Sequence, residues 1–545
     1  METPRQLPPR PSRAVPLTTY AQIERMSEPW ALNRTLAIIV TLVLAVVMGV
    51  WAANGEVENI ILLVVLFGSV MIIVFVEDYW WSPALVIAAL GFTTSAAGFP
   101  MSGMEIGVVI LALTFPVKLA MKTLRKAEPE LSAGIFYWAL LGFIVAHAAV
   151  ILLYNKIEGV PSLKNIVRSY YNCLTPLVYY GLLIRYCHPR TIRPTVIAIF
   201  FVTLFVVTAA MCSQLLGVYV ESLTSLQINL AWLDAQGVQG VLRMSGPALF
   251  IGGLAFWPNV RPGWGRVVVT FGSLVGILGT LISGGRLSTV TCLAAGMFFA
   301  FVRGKIWVAI PCVLVAALVS GAITAIPELN YHLPETIQRS LGPLNFSEQK
   351  TEIQSTTEGS DDWHRDLRNQ SLDYWLMDTT SFWIGHGFKS WDQSLGNLRD
   401  TANQVDREHM AELAIEMGIT ENMFSAITNI FGMTGLVLYG LFLGGVAWTL
   451  YKVCRIAPVG TDARALCEYS LINLLAQLVF CAFDGGVPGS YLFYWIVGIL
   501  AARSYLAEKK PAAAAEVKEV PAFARPALAQ RPHAPLPGRF RPGKV

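Results

Sequence analysis

The sequence predicts an all-α, polytopic membrane protein with about 14 transmembrane helices and one long, partly helical external loop. Three observations predict it. The 545 residues are 54% hydrophobic and only 14% charged, with a mean hydropathy of +0.54, outside the range of ordinary soluble domains. Apolar runs close to the ~20 residues that cross ~30 Å of hydrocarbon recur along nearly the whole chain. The cations between those runs also fall where a single orientation puts them.

The predicted spans lie at about 35–53, 59–76, 82–98, 105–121, 134–154, 167–186, 192–216, 242–258, 265–283, 287–302, 306–325, 427–451, 465–482 and 488–503. With the N-terminus inside, the inner loops hold Lys118, Lys122, Arg125 and Lys126; Arg185, Arg190 and Arg193; Arg261 and Arg266; Arg303 and Lys305; Lys452, Arg455 and Arg464; and Arg503, Lys509 and Lys510. The EDYWW loop at Glu77 is the exception. This gives a cytoplasmic segment 1–34, eleven helices over 35–325, a large external loop 326–426, three helices over 427–503 and a cytoplasmic tail 504–545. That tail is rich in Ala, Pro and Arg without periodicity and is expected to be disordered. Roughly thirty polar, Pro-rich and Arg-bearing residues precede the first apolar run, which argues against a cleaved signal.

A net charge of +4 names no partner, and nothing points to nucleic acid. All eight cysteines lie in or beside apolar spans with no CxxC pair, so neither a disulfide framework nor a zinc site is expected. The external loop exceeds the ~15 residues beyond which a loop is usually functional or disordered, and it is not low in complexity. Its 360s and 370s have helical spacing in Trp363, Leu367, Leu372, Trp375 and Leu376, with Ser360 as N-cap and Asp361 and Asp362 in the first turn.

Cations at the external face are the first candidates for chemistry. Arg168 (KNIVRSYYN) lies at the outer end of the sixth span, Arg243 (VLRMSGP) at that of the eighth, and Arg286 (ISGGRLST) in the turn joining the ninth and tenth. Guanidinium forks bind phosphate oxygens bidentately, so arginines converging at one depth suit an anionic lipid headgroup or a diphosphate. Each could equally snorkel to the interface or bind ordinary membrane lipid. Gly284 and Gly285 would let backbone approach a ligand. Arg365 and Arg368, three apart on the loop helix, project from one face, as they would also on a solvated face. Trp363, Trp375, Trp383 and Trp391 could stack on sugars or sit at the interface. Glu421 and Asn422 stand at the lip of the twelfth span, where a carboxylate could take a proton from a sugar hydroxyl and where simple helix capping is the competing reading. His364 and His386 are alternative external bases, and His147 in the fifth span is a hydrogen-bonded packing residue or a relay.

In this order, RMSGP at Arg243, SGGRLS at Arg286, HRDLRNQSLDYWLMDTTSFWIGHGF and ENMFSAITNIFGMTGLVLYG resemble the O-antigen polymerase and ligase superfamily of bacterial membrane glycosyltransferases. The resemblance covers about residues 165–450 in pattern. It implies a site at the periplasmic face of the inner membrane, with both termini cytoplasmic. There glycan would move from a polyprenyl diphosphate to an acceptor hydroxyl in surface-polysaccharide synthesis. It further implies Glu421 as base, Asn422 orienting acceptor or backbone, and Arg168, Arg243, Arg286, Arg365 and Arg368 holding the diphosphate, with no metal or other cofactor. A chain-length regulator is the protein partner it suggests. Two positions depart from the pattern: Glu421 stands where ligases carry histidine, and Ile384 precedes the Gly-His-Gly turn without a proline. The first favours a polymerase over a ligase attaching glycan to lipid A core; a flippase or other transporter is the rival outside enzymology.

Overall fold

The computed structural model describes residues 79–90, 92–94, 101–120, 134–157, 163–219, 228–230, 232–234, 237–304, 307, 309–326, 332–344, 365–388, 415, 422–483 and 496–506. The first two predicted spans and the terminal segments lie outside them. The protein is a helical membrane protein. Among the described residues six helices are long and apolar enough to cross a bilayer, and three shorter apolar helices accompany them.

In chain order the elements are α1 (Ser82–Ala89), β1 (Phe92–Thr94), β2 (Met101–Ser102), α2 (Gly103–Ala120), α3 (Ile135–Ile157), α4 (Leu163–Tyr186), α5 (Ile192–Leu216), β3 (Ile228–Leu230), α6 (Gly237–Phe256), α7 (Trp264–Ile282), α8 (Arg286–Arg303), α9 (Ala309–Ala325) and α10 (Glu335–Leu341). Then follow α11 (365–375), α12 (Thr379–Ile384), α13 (Met423–Ile456), α14 (Asp462–Phe483) and α15 (Ile496–Leu506). Most helices match the sequence expectation within a turn. The span expected at 82–98 does not form as one helix. It stops at Ala89, and Phe92–Thr94 instead pairs antiparallel with both Met101–Ser102 and Ile228–Leu230. Three β-capable residues find ladder partners there, so the all-helical expectation needs a small three-stranded sheet added.

Alternating helix directions define two ends of the bundle. The lower end holds the starts of α5, α7 and α14 and the finishes of α4, α6, α8 and α13. It gathers Arg185, Arg193, Arg261, Arg266, Arg303, Arg455 and Arg464. The upper end holds the α7–α8 turn, α10, α12 and the start of α13. Small residues bring the helices close: a Cβ on Gly276 in α7 would lie 2.7 Å from the Gly246 carbonyl oxygen of α6, a spacing that only glycine permits.

At the lower end, the Glu468 carboxylate of α14 is fully buried and takes Arg303 Nη2 at 2.5 Å, Arg464 Nε at 2.8 Å and Asn259 Nδ2 at 3.4 Å. One charge thereby ties α8, α14 and the α6–α7 connection together. His147 in α3 lies within 2.8 Å of the Tyr170 hydroxyl through Nδ1 and packs on Phe143 and Phe431, the packing role offered by the sequence.

Candidate active site

The turn SGGR between α7 and α8 is the centre of the upper end. Ser283 closes α7: its Oγ donates to Thr280 O (2.6 Å) and accepts from Gly285 N (3.1 Å). Gly284 then adopts φ 70°, the left-handed conformation that glycine takes without penalty. α8 begins at Arg286 with Gly285 as N-cap, and no side chain caps it. Its first amide groups and the positive end of its dipole therefore face the turn. Ser288, one turn in, has a buried hydroxyl with no hydrogen-bond partner among the described residues.

Arg243 and Arg286 both border this turn. A Cβ on Gly285 would lie 2.8 Å from Arg243 Cγ, so the Arg243 side chain passes directly over the glycine. Arg243 is not at the outer tip of its span as expected; α6 starts at Gly237, which sets it nearly two turns into the helix. α10 covers the turn, with Thr336 against Gly284, Ser340 Oγ donating to Leu281 O (2.8 Å) and Gly342 against Arg286 Cδ. Two guanidinium groups, an uncapped helix start and a buried unpaired hydroxyl form a setting for phosphate oxygens.

Arg168 differs. Its fork engages Glu105 at the start of α2, Nε to Oε1 at 3.1 Å and Nη2 to Oε2 at 3.2 Å. That bidentate pair gives Arg168 a structural partner where the sequence suggested a ligand. Glu105 is 63 residues away in the chain, so local pattern could not reveal the pairing.

The loop helix and the turn after it dock on α13. α13 breaks at Gly432, whose φ 64°, ψ −168° only glycine adopts readily. The break interrupts the helical ladder, and loop amides take over its carbonyls: His386 N donates to Asn429 O (2.7 Å) and Gly387 N to Ile430 O (3.0 Å). Asn429 Nδ2 donates to Ser371 Oγ on α11. Gly385 faces the break; a Cβ there would lie 2.5 Å from the Ile430 carbonyl. Leu367 and Ile415 form a small buried cluster beneath α11. Arg365 is exposed and Arg368 half-buried on that helix. Trp375 is a packing residue, stacked on Phe382 and donating Nε1 to its carbonyl (3.1 Å). Trp383 is half exposed, while Trp363 and Trp391 lie outside the described residues.

Glu421 and His364 lie outside the described residues. Asn422 is the N-cap of α13, its Oδ1 accepting from Ser425 N at 2.8 Å, and is buried. It thus orients backbone, the competing reading of the pair. His386 stacks on Tyr374, with Nε2 3.1 Å from Tyr374 O and Nδ1 3.2 Å from Ser381 Oγ. Ser381 Oγ itself donates to Asp378 Oδ2 at 2.6 Å. Asp378, the N-cap of α12, is held below the ordinary carboxylate range, first by the Ser381 hydroxyl and then by the Ser381 amide. Both ring nitrogens of His386 therefore face groups of the turn itself.

No protein-family model matches this chain, and no curated protein matches its sequence.

Proposed function

We propose that the protein is a membrane glycosyltransferase that polymerises oligosaccharide units carried on polyprenyl diphosphate. The observation that carries this reading is that Arg243 and Arg286 both border the uncapped start of α8, beneath α10. The acceptor sugar hydroxyl attacks the anomeric carbon, the bond to the diphosphate breaks, and the polyprenyl diphosphate leaves with the electron pair. Its growing negative charge is taken up by the two guanidinium groups and the α8 amides. These fixed cations do what a metal does in other phosphate chemistry, so the reading calls on no metal, nucleotide or other cofactor. The hydroxyl proton passes to Glu421, the residue before the Asn422 cap. Arg365 and Arg368 add positive charge on the loop helix, whereas the charge of Arg168 is offset by its pair with Glu105.

In this reading the chain crosses the bacterial inner membrane about 14 times, with both termini cytoplasmic and the upper end periplasmic. The cations collected at the lower end support that orientation. The break at Gly432 is a feature that transporters also use, near the bilayer midplane. Here it falls nine residues from the start of α13, roughly 14 Å along it, and loop backbone occupies it, which favours a fixed site at one face over a moving gate.

The test uses the full chain in liposomes with a polyprenyl-diphosphate-linked oligosaccharide and no nucleotide sugar, metal or ATP. A ladder of lengthening lipid-linked glycans that disappears with Glu421→Gln is expected. Transfer to a lipid A core acceptor in place of a ladder would assign a ligase. Translocation of the lipid-linked glycan without bond formation would assign a flippase and end the enzymatic reading.

A further inference from the structure

The lower end holds a cavity of about 930 Å³ between α5, the α6–α7 connection and the start of α14. That volume is at the top of the ~300–1,000 Å³ usual for ligand sites. Its mouth carries Arg193 and Arg261, both exposed, against one carboxylate, Asp462. Asp462 Oδ2 lies 3.3 Å from Arg193 Nη1 in a pair that is mostly solvent-exposed on both sides; pairs of this kind are weak and leave the guanidinium able to take a second anion. Deeper in, the walls are apolar, formed by Phe200, Phe201 and Val268. From Arg193 to Phe201 is eight residues of helix, about 12 Å, so the cavity runs from headgroup depth into hydrocarbon. Phe201 is half exposed at the bundle surface, which opens the wall sideways.

Neighbouring residues set this end at a membrane interface. Trp264 is 84% exposed at the start of α7, and Trp257 lies under the Arg266 guanidinium, 4.9 Å from its ring centre. Exposed tryptophans beside arginines are the usual residents of the headgroup layer. Asn259, which lines the cavity, accepts from Gly460 N (2.9 Å) and donates to Ala255 O and to Glu468 of the buried ion cluster.

We propose that this cavity binds one anionic phospholipid of the adjoining leaflet, its phosphate between Arg193 and Arg261 and an acyl chain along Phe200, Phe201 and Val268. Cations over an apolar slot match the charge and the shape of such a lipid, whereas a soluble phosphate would leave the apolar walls uncovered. The site is at the opposite end from Arg243 and Arg286 and rests on no assumption about the reaction there.

The experiment titrates the full-length protein in neutral detergent with short-chain phosphatidylglycerol, phosphatidylcholine or inorganic phosphate, and counts bound molecules by native mass spectrometry. One phosphatidylglycerol is expected to bind, with phosphatidylcholine about tenfold weaker or less tight still. The double variant Arg193→Gln/Arg261→Gln should lose about tenfold or more of the phosphatidylglycerol affinity and leave phosphatidylcholine unchanged. Equal affinity for the two lipids, an unchanged double variant, or displacement of the lipid by inorganic phosphate would overturn the proposal. Should the double variant not purify, Val268→Trp fills the cavity while keeping both arginines. It should abolish phosphatidylglycerol binding, and retained binding would overturn the site equally.

Discussion

At the scale of single residues, the chemistry turns on how each charged side chain is already occupied. Arg286 begins a helix that no side chain caps, and Arg243 passes over the glycine before it. Arg286→Lys keeps the charge but loses the planar fork, so transfer activity should fall by about 10²-fold or more while the protein still purifies as a folded species; wild-type turnover would remove the diphosphate role. His386 should respond differently. With Tyr374 O and Ser381 Oγ against its two nitrogens, His386→Gln can keep one of the two bonds and should retain substantial activity, whereas His386→Ala should loosen the turn. Limited proteolysis between residues 376 and 388 would report that, and complete inactivity of a folded His386→Gln would restore the residue as a base. Asp378 supplies a pH dependence with a definite sign. Its pKa is depressed in the folded state, so its cap stabilises the turn above the ordinary carboxylate value and is lost as pH falls through the depressed value. Protease sensitivity of the segment should therefore rise in strongly acidic buffer, and Asp378→Asn should abolish that rise. Sequence reading singled out Arg286 and the capping role of Asn422, because arginines at span ends and Asx residues before helices are local patterns, but it put Arg243 at a span end that lies nearly two turns further out. It missed Glu105 as the partner of Arg168, because pairing between α2 and α4 is a property of packing.

The elements were most legible where apolar length decides the outcome. α5, α7 and α8 match their predicted spans closely since twenty apolar residues in hydrocarbon have helix as their open solution. Legibility failed where distant strands compete. Phe92–Thr94 reads as the continuation of a span until Ile228–Leu230 is brought beside it. The break in α13 was equally hidden: Gly432 sits among helix-compatible neighbours, and only the approach of Gly385 requires its conformation. Gly432→Ala must bear a backbone strain of about 1–3 kcal/mol, and its Cβ would fall 2.5 Å from Ile384 N. It should lower the melting temperature in detergent and detach the 382–388 turn, whereas Gly440→Ala, in open space on the same helix, should do neither. Equal melting of the two variants would refute the docking account.

Across the whole molecule, the two ends divide the work. The lower end is held by Glu468 between Arg303 and Arg464. Removing the carboxylate leaves two cations facing each other in a confined site, so Glu468→Ala should destabilise by about 3–5 kcal/mol without altering the upper site; its melting curve and residual activity together check this. The upper end gathers the cations that face the α7–α8 turn and the loop that closes over α13. The central claim is that Arg243 and Arg286 hold a departing diphosphate, and release of the carrier reads it most directly. With phosphorus-labelled polyprenyl diphosphate as the donor's carrier, wild-type protein should free one carrier for each glycosidic bond formed, and the Arg243→Lys and Arg286→Lys proteins should slow that release by the same factor as bond formation. Carrier release at the wild-type rate in both variants, or bond formation with no carrier released, would contradict it.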